Sequence, residues 1–195
     1  GASANLITNS DFESGNTGFT SDYDNSSSLF GERRYAITTD PILNHTGATS
    51  YGDHTSGTGL MMVVNGSPMA GDVIWGQTIS VVAGEIYDFA AYISSWDDRN
   101  PAELDFAVNG ISIGNFTAPG ATGIWELAFA TWNSGGSTSA LIEIRNFNTE
   151  PAGNDFALDD LYFGEAVFSV PEPGALAVFL VGLAGIGYAR RKTTV

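Results

Sequence analysis

Tyr92 and Trp96 lie four residues apart in a run, Gly84 to Trp96, that reads as a β-strand. At a two-residue period they share a face with Asp88 and Ser94, while Tyr87, Phe89, Ala91 and Ile93 share the apolar one. Aromatic rings beside carboxylates and hydroxyls are what a polysaccharide site needs: a flat apolar floor with polar groups to fix orientation. Asp97, Asp98 and Arg99 follow directly, and Trp132 is a candidate to join. The same aromatic pair would also suit packing under a loop or a protein contact, because exposed rings are adhesive in general.

No comparable arrangement points to catalysis. Acids are so common, 22 among 195 residues, that no pair stands out as general acid and base, and glycosidase chemistry depends on a separation that spacing alone does not fix. There is no Cys for a nucleophile. His45 and His54 sit in Gly/Thr-rich loops without metal-ligand spacing. No Gly-rich phosphate loop opens a helix. The chain reads as non-enzymatic.

Charge narrows the partners. The formal net charge is −15, and three of the seven basic residues, Arg190, Arg191 and Lys192, sit together near the end. Only Arg33, Arg34, Arg99 and Arg145 remain upstream. A surface like this repels nucleic acid and attracts cations, although solubility alone is also a sufficient reason for it. Without cysteine, an exported domain must draw its stability from its core or from a metal.

The elements that would position these groups are strands. From Asn5 to about Phe168 short apolar runs alternate with Gly, Asn, Asp and Pro turns, which predicts a sandwich. Met62 to Gly66 and Phe106 to Gly110 both end in Asn-Gly, a tight-turn signal. Parity puts Trp75, Ile79 and Val81 on one face, Trp125, Leu127 and Phe129 inward against Glu126, and Ile142 and Ile144 inward against Glu143 and Arg145. Phe156 and Leu158 lead into Asp159-Asp160-Leu161-Tyr162-Phe163 as a closing strand.

The two ends speak of export. Ala2-Ser3-Ala4 has the small-x-small pattern that precedes a signal-peptidase cut, so residues 1–4 are expected to be a leader remnant. At the other end, Pro171-Glu172-Pro173 is followed by sixteen uncharged residues, Gly174 to Ala189, and then by the basic cluster. As a helix these would span roughly 24 Å, slightly short of a ~30 Å hydrocarbon core. Tyr188 and the basic cluster would anchor one interface, which leaves residues 1–170 outside the cytoplasm. The alternative is a buried core helix. Gly174, Gly182, Gly185 and Gly187 leave small surfaces through which such helices could associate.

This Pro-Glu-Pro, hydrophobic helix and basic cluster, in that order, resemble the PEP-CTERM sorting signal. The resemblance implies a bacterium that makes exopolysaccharide. It also implies recognition by exosortase, a membrane protease that removes the tail, with Pro171, Glu172, Pro173, Arg190, Arg191 and Lys192 as the tag.

A second resemblance covers most of residues 5–168. N-L-I-T-N-S-D-F-E-S-G at the start and G-N-D-F-A-L-D-D-L-Y-F at the end look like the first and last strands of carbohydrate-binding-module-like jelly rolls. The segments D-H-T-S-G-T-G-L-M-M-V-V-N-G-S and G-Q-T-I-S-V-V-A-G-E-I-Y-D-F-A-A-Y-I resemble the middle strands. In that family the first and last strands commonly share a structural calcium, which implies Glu13 and Asp160 as ligands and Asp53 as a third, with Asp11 and Asp159 contributing. The same acids could instead be turn residues that accept backbone N–H groups.

The expectation is thus an all-β chain: a jelly-roll β-sandwich at 5–168, a linker at 169–173, and a single hydrophobic α-helix with a basic tail at 174–195. Its expected role is that of an exported, non-catalytic surface or matrix protein, held at the membrane through residues 174–189 before processing, that binds exopolysaccharide. The other reading is a structural subunit that self-assembles into filaments through a retained tail helix.

Overall fold

The computed structural model describes residues 3–167. The expected leader remnant at residues 1–4 lies partly outside the described residues. The Pro171-Glu172-Pro173 motif, the helix at 174–189 and the cluster Arg190, Arg191, Lys192 lie wholly outside them.

Period-two apolar runs broken by turn residues give ten strands: β1 (Asp24–Asn25), β2 (Arg34–Thr38), β3 (Met61–Asn65), β4 (Val73–Ser80), β5 (Ile86–Ser95), β6 (Glu103–Val108), β7 (Ile111–Thr117), β8 (Glu126–Asn133), β9 (Ser139–Asn146) and β10 (Asp155–Glu165). A single 3-10 turn, Pro41–Leu43, is the only helical element among the described residues, and no helix there is long and apolar enough to cross a membrane. The strands form a six-stranded sheet, β1-β2-β3-β10-β5-β8, and a four-stranded sheet, β4-β9-β6-β7. Their inner faces meet in one core: Met62, Val64, Phe89, Ile93, Phe156, Leu158 and Phe163 from the first, Trp75, Ile79, Leu104, Phe106, Ile142 and Ile144 from the second. The all-β sandwich and the inward positions of Trp75, Phe89, Ile142, Ile144, Phe156 and Leu158 agree with strand parity.

Three expectations are corrected. Asn109-Gly110 does turn β6 into β7, with φ +52° and +81°, but Asn65-Gly66 makes no hairpin, because β3 and β4 belong to different sheets. The opening segment from Asn5 is not a strand. It runs beside β10, where Leu6 N donates to Phe163 O at 2.7 Å and Phe163 N to Asn5 Oδ1 at 3.1 Å. In β8 the inward residues are Ala128 and Ala130, while Leu127 and Phe129 are 38% and 36% exposed. Glu126 follows Trp125 at the strand's first position, so strict alternation from Trp125 put the wrong residues inside.

The outer face of the six-stranded sheet is also apolar at one end. Met61, Val63, Trp96 and Ala157 there form a second cluster with Leu29, Ala36 and Ala48, so the chain between β1 and β3 covers that region. Phe89 packs against Phe106 with ring centroids 4.8 Å apart and is fully buried. Phe89→Ala should therefore cost about 3–5 kcal/mol in denaturant unfolding, whereas Leu127→Ala should cost under about 1 kcal/mol. The reverse ranking would contradict the β8 register.

Candidate functional site

The acids singled out in the sequence converge on one corner, and a β-bulge puts them there. Along β10 and β5, Asp159 pairs with Tyr92 and Tyr162 with Ala90, so β10 carries one extra residue at this point. Asp160 takes it up with a left-handed φ of +46°, a conformation Asp tolerates better than most residues. The bulge is tied to the start of the chain, where Leu161 N donates to Ser10 O at 2.9 Å. The loop before β3 wraps it from the other side. His54 N donates to Asp159 Oδ2 at 2.8 Å, His54 Nδ1 lies 2.6 Å from Asp160 Oδ2, and Thr55 Oγ1 donates to Asp160 Oδ1 at 2.7 Å.

Within that loop Asp53 accepts from Ser56 N at 2.9 Å and Gly59 N at 2.7 Å. Burial pushes its carboxyl up, but these bonds together prevail and hold it below the usual carboxylate range. Glu13 Oε1 accepts from Leu60 N at 2.6 Å. Gly59 fits between the two acids: a Cβ there would lie 2.2 Å from Glu13 Oε1 and 3.0 Å from Asp53 Oδ2. Asp11 Oδ1 accepts from Glu13 N at 3.3 Å.

Asp159 differs from its neighbours. It is fully buried, and its Oδ1 has no hydrogen-bond partner among the described residues. Burial pushes its carboxyl up to about 7; the nearby Asp160 charge adds to this, and N–H groups of Asp160, His54 and Thr55 work against it. A buried acceptor with no donor is what a cation would satisfy, so the free Asp159 oxygen is the one observation here that suits a calcium ion; Glu13 Oε1 already accepts from Leu60 N. Asp53 and Asp160 fit it less well, being engaged by loop donors. Among the described residues no three His, Asp or Glu side chains converge tightly enough to hold a metal alone. Carbonyls and water would have to complete six to eight oxygens.

The aromatic residues divide differently from expectation. Tyr92 is half-buried, with His54 stacked on it at 3.5 Å between centroids and 15° between planes. Trp96 is only 1% exposed, with Nε1 donating to Val64 O at 2.9 Å. It supports the outer-face cluster and is no platform. Trp132 packs towards the core against Tyr87, its register partner, so it cannot join Tyr92 on the outer face. Asp88 is fully buried, accepting from Thr131 Oγ1 at 2.8 Å and from Val167 N at 2.6 Å.

A row that strand parity missed lies beside Tyr92. Tyr162 of β10, Ala90 of β5 and Phe129 of β8 are opposed in register on the outer face, so two rings flank a methyl group across three strands. The neighbouring rows are Asp159, Tyr92, Leu127 and Gly164, Asp88, Thr131. Reading β8 from Ala128 and Ala130 as the inward residues would have revealed Phe129, but two small residues make a weak apolar signal.

Solved structures of several kinds share this architecture. The CBM22-1 xylan-binding domain of Paenibacillus barcinonensis Xyn10C superposes with a TM-score of 0.51 at 16% identity, covering 85% of this chain and 98% of that one. TmCBM61, solved with β-1,4-galactotriose, gives 0.52 at 13% identity over 84% and 99%. A Stig cyclase, Fisc from Fischerella sp. TAU, gives 0.57 at 8% identity over 85% and 98%, so the fold itself does not exclude catalysis. No curated protein matches the chain in sequence. The C-terminal stretch carries the PEP-CTERM protein-sorting motif, matched over residues 169–192, which marks the chain as exported.

The titration of Asp159 has a signed consequence. A carboxyl raised in the folded state adds stability below its unfolded pKa near 4, and that contribution is lost as pH rises through about 7. In chelator-treated protein the melting temperature should fall between pH 4 and pH 7, and Asp159→Asn should flatten this slope. Parallel wild-type and variant profiles would contradict the burial of an uncompensated carboxylate.

Proposed function

We propose that this protein is a non-catalytic cell-surface or matrix component whose sandwich domain holds extracellular polysaccharide on the outer face of the six-stranded sheet. The Tyr162, Ala90, Phe129 row carries this reading. Adjacent strands are about 4.8 Å apart, so rings two strands apart stand roughly 10 Å from each other, a spacing suited to alternate sugars of an extended chain. Tyr92 and Leu127 extend the floor, and Thr131 and Thr55 add hydroxyls at its margin. The similar xylan-binding and galactotriose-bound domains support a polysaccharide as the ligand. The negative charge favours a neutral glycan, or an acidic one bridged by cations.

The sorting motif supplies the route: export, retention at the membrane, and removal of the tail by an exosortase-type protease. Calcium bound by Asp159, with carbonyls from the surrounding loops, would lock the bulge and so hold Tyr92 and Tyr162 in register.

Affinity electrophoresis in gels containing xylan, β-1,4-galactan or the producing organism's exopolysaccharide tests the binding reading. At least one polymer should retard the protein. Phe129→Ala and Tyr162→Ala should each weaken retardation about fivefold, from the ~1 kcal/mol of one lost ring contact, while Trp132→Ala should not. A wild-type protein that migrates unretarded in all three gels would end it.

Calcium is separable from the sugar. Removing it with chelator should lower the melting temperature by several degrees, restored by adding calcium at 100 times its Kd, a stabilisation of ~2.7 kcal/mol. An unchanged melting temperature would remove calcium from the account without touching the binding face.

A further inference from the structure

A second group of oxygens, at the other end of the same strand, lacks donors in the same way. Asn65 and Asp155 are directly opposed in the β3–β10 ladder, which puts their Cβ atoms about 4.5–5.5 Å apart on one face. Asn65 is 7% and Asp155 6% exposed. Asn65 Nδ2 donates to Leu29 O at 2.7 Å. That bond fixes which way the amide points, and Asn65 Oδ1 is left buried with no partner among the described residues.

Asn154 repeats the pattern. It is fully buried, and its Nδ2 donates to Asn148 O at 2.6 Å and Asn146 Oδ1 at 3.2 Å. Its own Oδ1 is also without a partner among the described residues. Its amide lies against Gly66, where a Cβ would be 2.3 Å from Asn154 Nδ2. Gly66 N gives Asp155 Oδ1 a long bond of 3.3 Å. The Asn65 amide oxygen and the Asp155 carboxylate therefore share one face at the Asn65-Gly66 step, while the Asn154 amide packs on the Gly66 side of it.

An unsatisfied buried acceptor costs about 1–3 kcal/mol, and native structures carry few of them. The surroundings supply more negative charge than positive. Burial pushes the Asp155 carboxyl up to about 8; Asp97 and Glu32 push the same way, and Arg99 opposes them. Arg99 is itself paired to Asp97 at 2.5 Å. Oxygen donors of mixed amide and carboxylate type in an acidic setting match a hard cation and not a transition metal.

We propose that Asp155 and Asn65 form a second cation site, for calcium, distinct from the corner at Asp159, with carbonyls and water completing the shell. Four residues of strand separate the two carboxylates, roughly 13 Å at the usual rise. The site explains why an Asn-Gly step occurs where no hairpin forms: Asn65 supplies a ligand, and Gly66 leaves room for the Asn154 amide. It also fastens β3 and β10 to the loop around Leu29 at the end of the sheet remote from the bulge.

Terbium titration of the full-length chain in detergent tests this, because lanthanides substitute for calcium and are sensitised by nearby indoles. Trp96 N donates to Asp155 O at 3.2 Å, so an indole-bearing residue adjoins the site. Asp155→Ala and Asn65→Leu should each bind one equivalent fewer than wild type, and Asp159→Asn should retain the equivalent that they lose. This difference, not the total, is the readout, so the site stands or falls separately from the Asp159 corner. Equal stoichiometry in wild type and Asp155→Ala would overturn the proposal. Should both variants fail to fold, wild-type crystals grown with terbium decide it: an anomalous peak within coordination distance of Asp155 is expected, and none there means that a proton on Asp155 or a water satisfies the amides instead.

Discussion

One irregular strand organises this domain. β10 is central in the six-stranded sheet, hydrogen-bonded to β3 on one side and β5 on the other, and it contains one residue too many for regular pairing. The bulge turns Asp159 and Asp160 towards the outer face in succession. Polar backbone exposed by such a break must find partners elsewhere. Here they come from two segments far from β10 in sequence, with Ser10 accepting from Leu161 N and the His54 loop donating to both carboxylates. An uncompensated carboxylate at the centre of a sheet would ordinarily be a defect. Here it draws three separate segments to one point, which is where a domain without disulfides most needs a fastening.

The second constraint is two-sided burial. Sandwiches commonly bury one face of each sheet and leave the other to water. This chain buries all of β3 and most of β5 on both faces, through the long excursion between β1 and β3 that lays Leu29 and Ala48 over Met61, Val63 and Trp96. Among the described residues the cover is partial. It ends near His54, and beyond it the outer face carries Tyr92, Leu127, Phe129 and Tyr162. The same sheet therefore supplies a second core at one end and an aromatic floor at the other, and the His54–Tyr92 stack marks the boundary between them.

The sequence made the sandwich legible because its longest strands alternate cleanly. The parity of Gly84 to Trp96 assigned every face of β5 correctly, and the strand pattern around Ile142 and Ile144 did the same for β9. What parity could not convey was the fate of the opposite face. Trp96 shares a side with Tyr92, yet one is beneath a loop and the other at its rim, because the covering segment lies far off in sequence and has no period of its own. In the middle of β8 Ala128 and Ala130 point inward while Leu127 and Phe129 point outward, the reverse of what hydrophobicity suggests, since the adjacent β5 already carries Phe89. The acids were legible as a group because D-F-E and D-D mark the two ends of the domain. Their division of labour was not, because it depends on which loop N–H reaches which oxygen.

The exit of the chain leads from the face with the aromatic row towards the sorting motif. After Glu165 the backbone leaves the ladder, and Val167 N donates to Asp88 Oδ2 at 2.6 Å. Asp88 belongs to the row next to Ala90 and also holds Thr131, so a buried carboxylate fixes the last described residues on the same outer face as Tyr162 and Phe129. A charge-assisted bond of this kind, shielded from water, resists fraying better than an exposed one. The sorting motif begins two residues later, at 169. The last described residues thus lie on the face that carries the aromatic row. If the proposed polysaccharide reading holds, a glycan on that face would lie on the side of the domain from which the chain leads to the sorting motif.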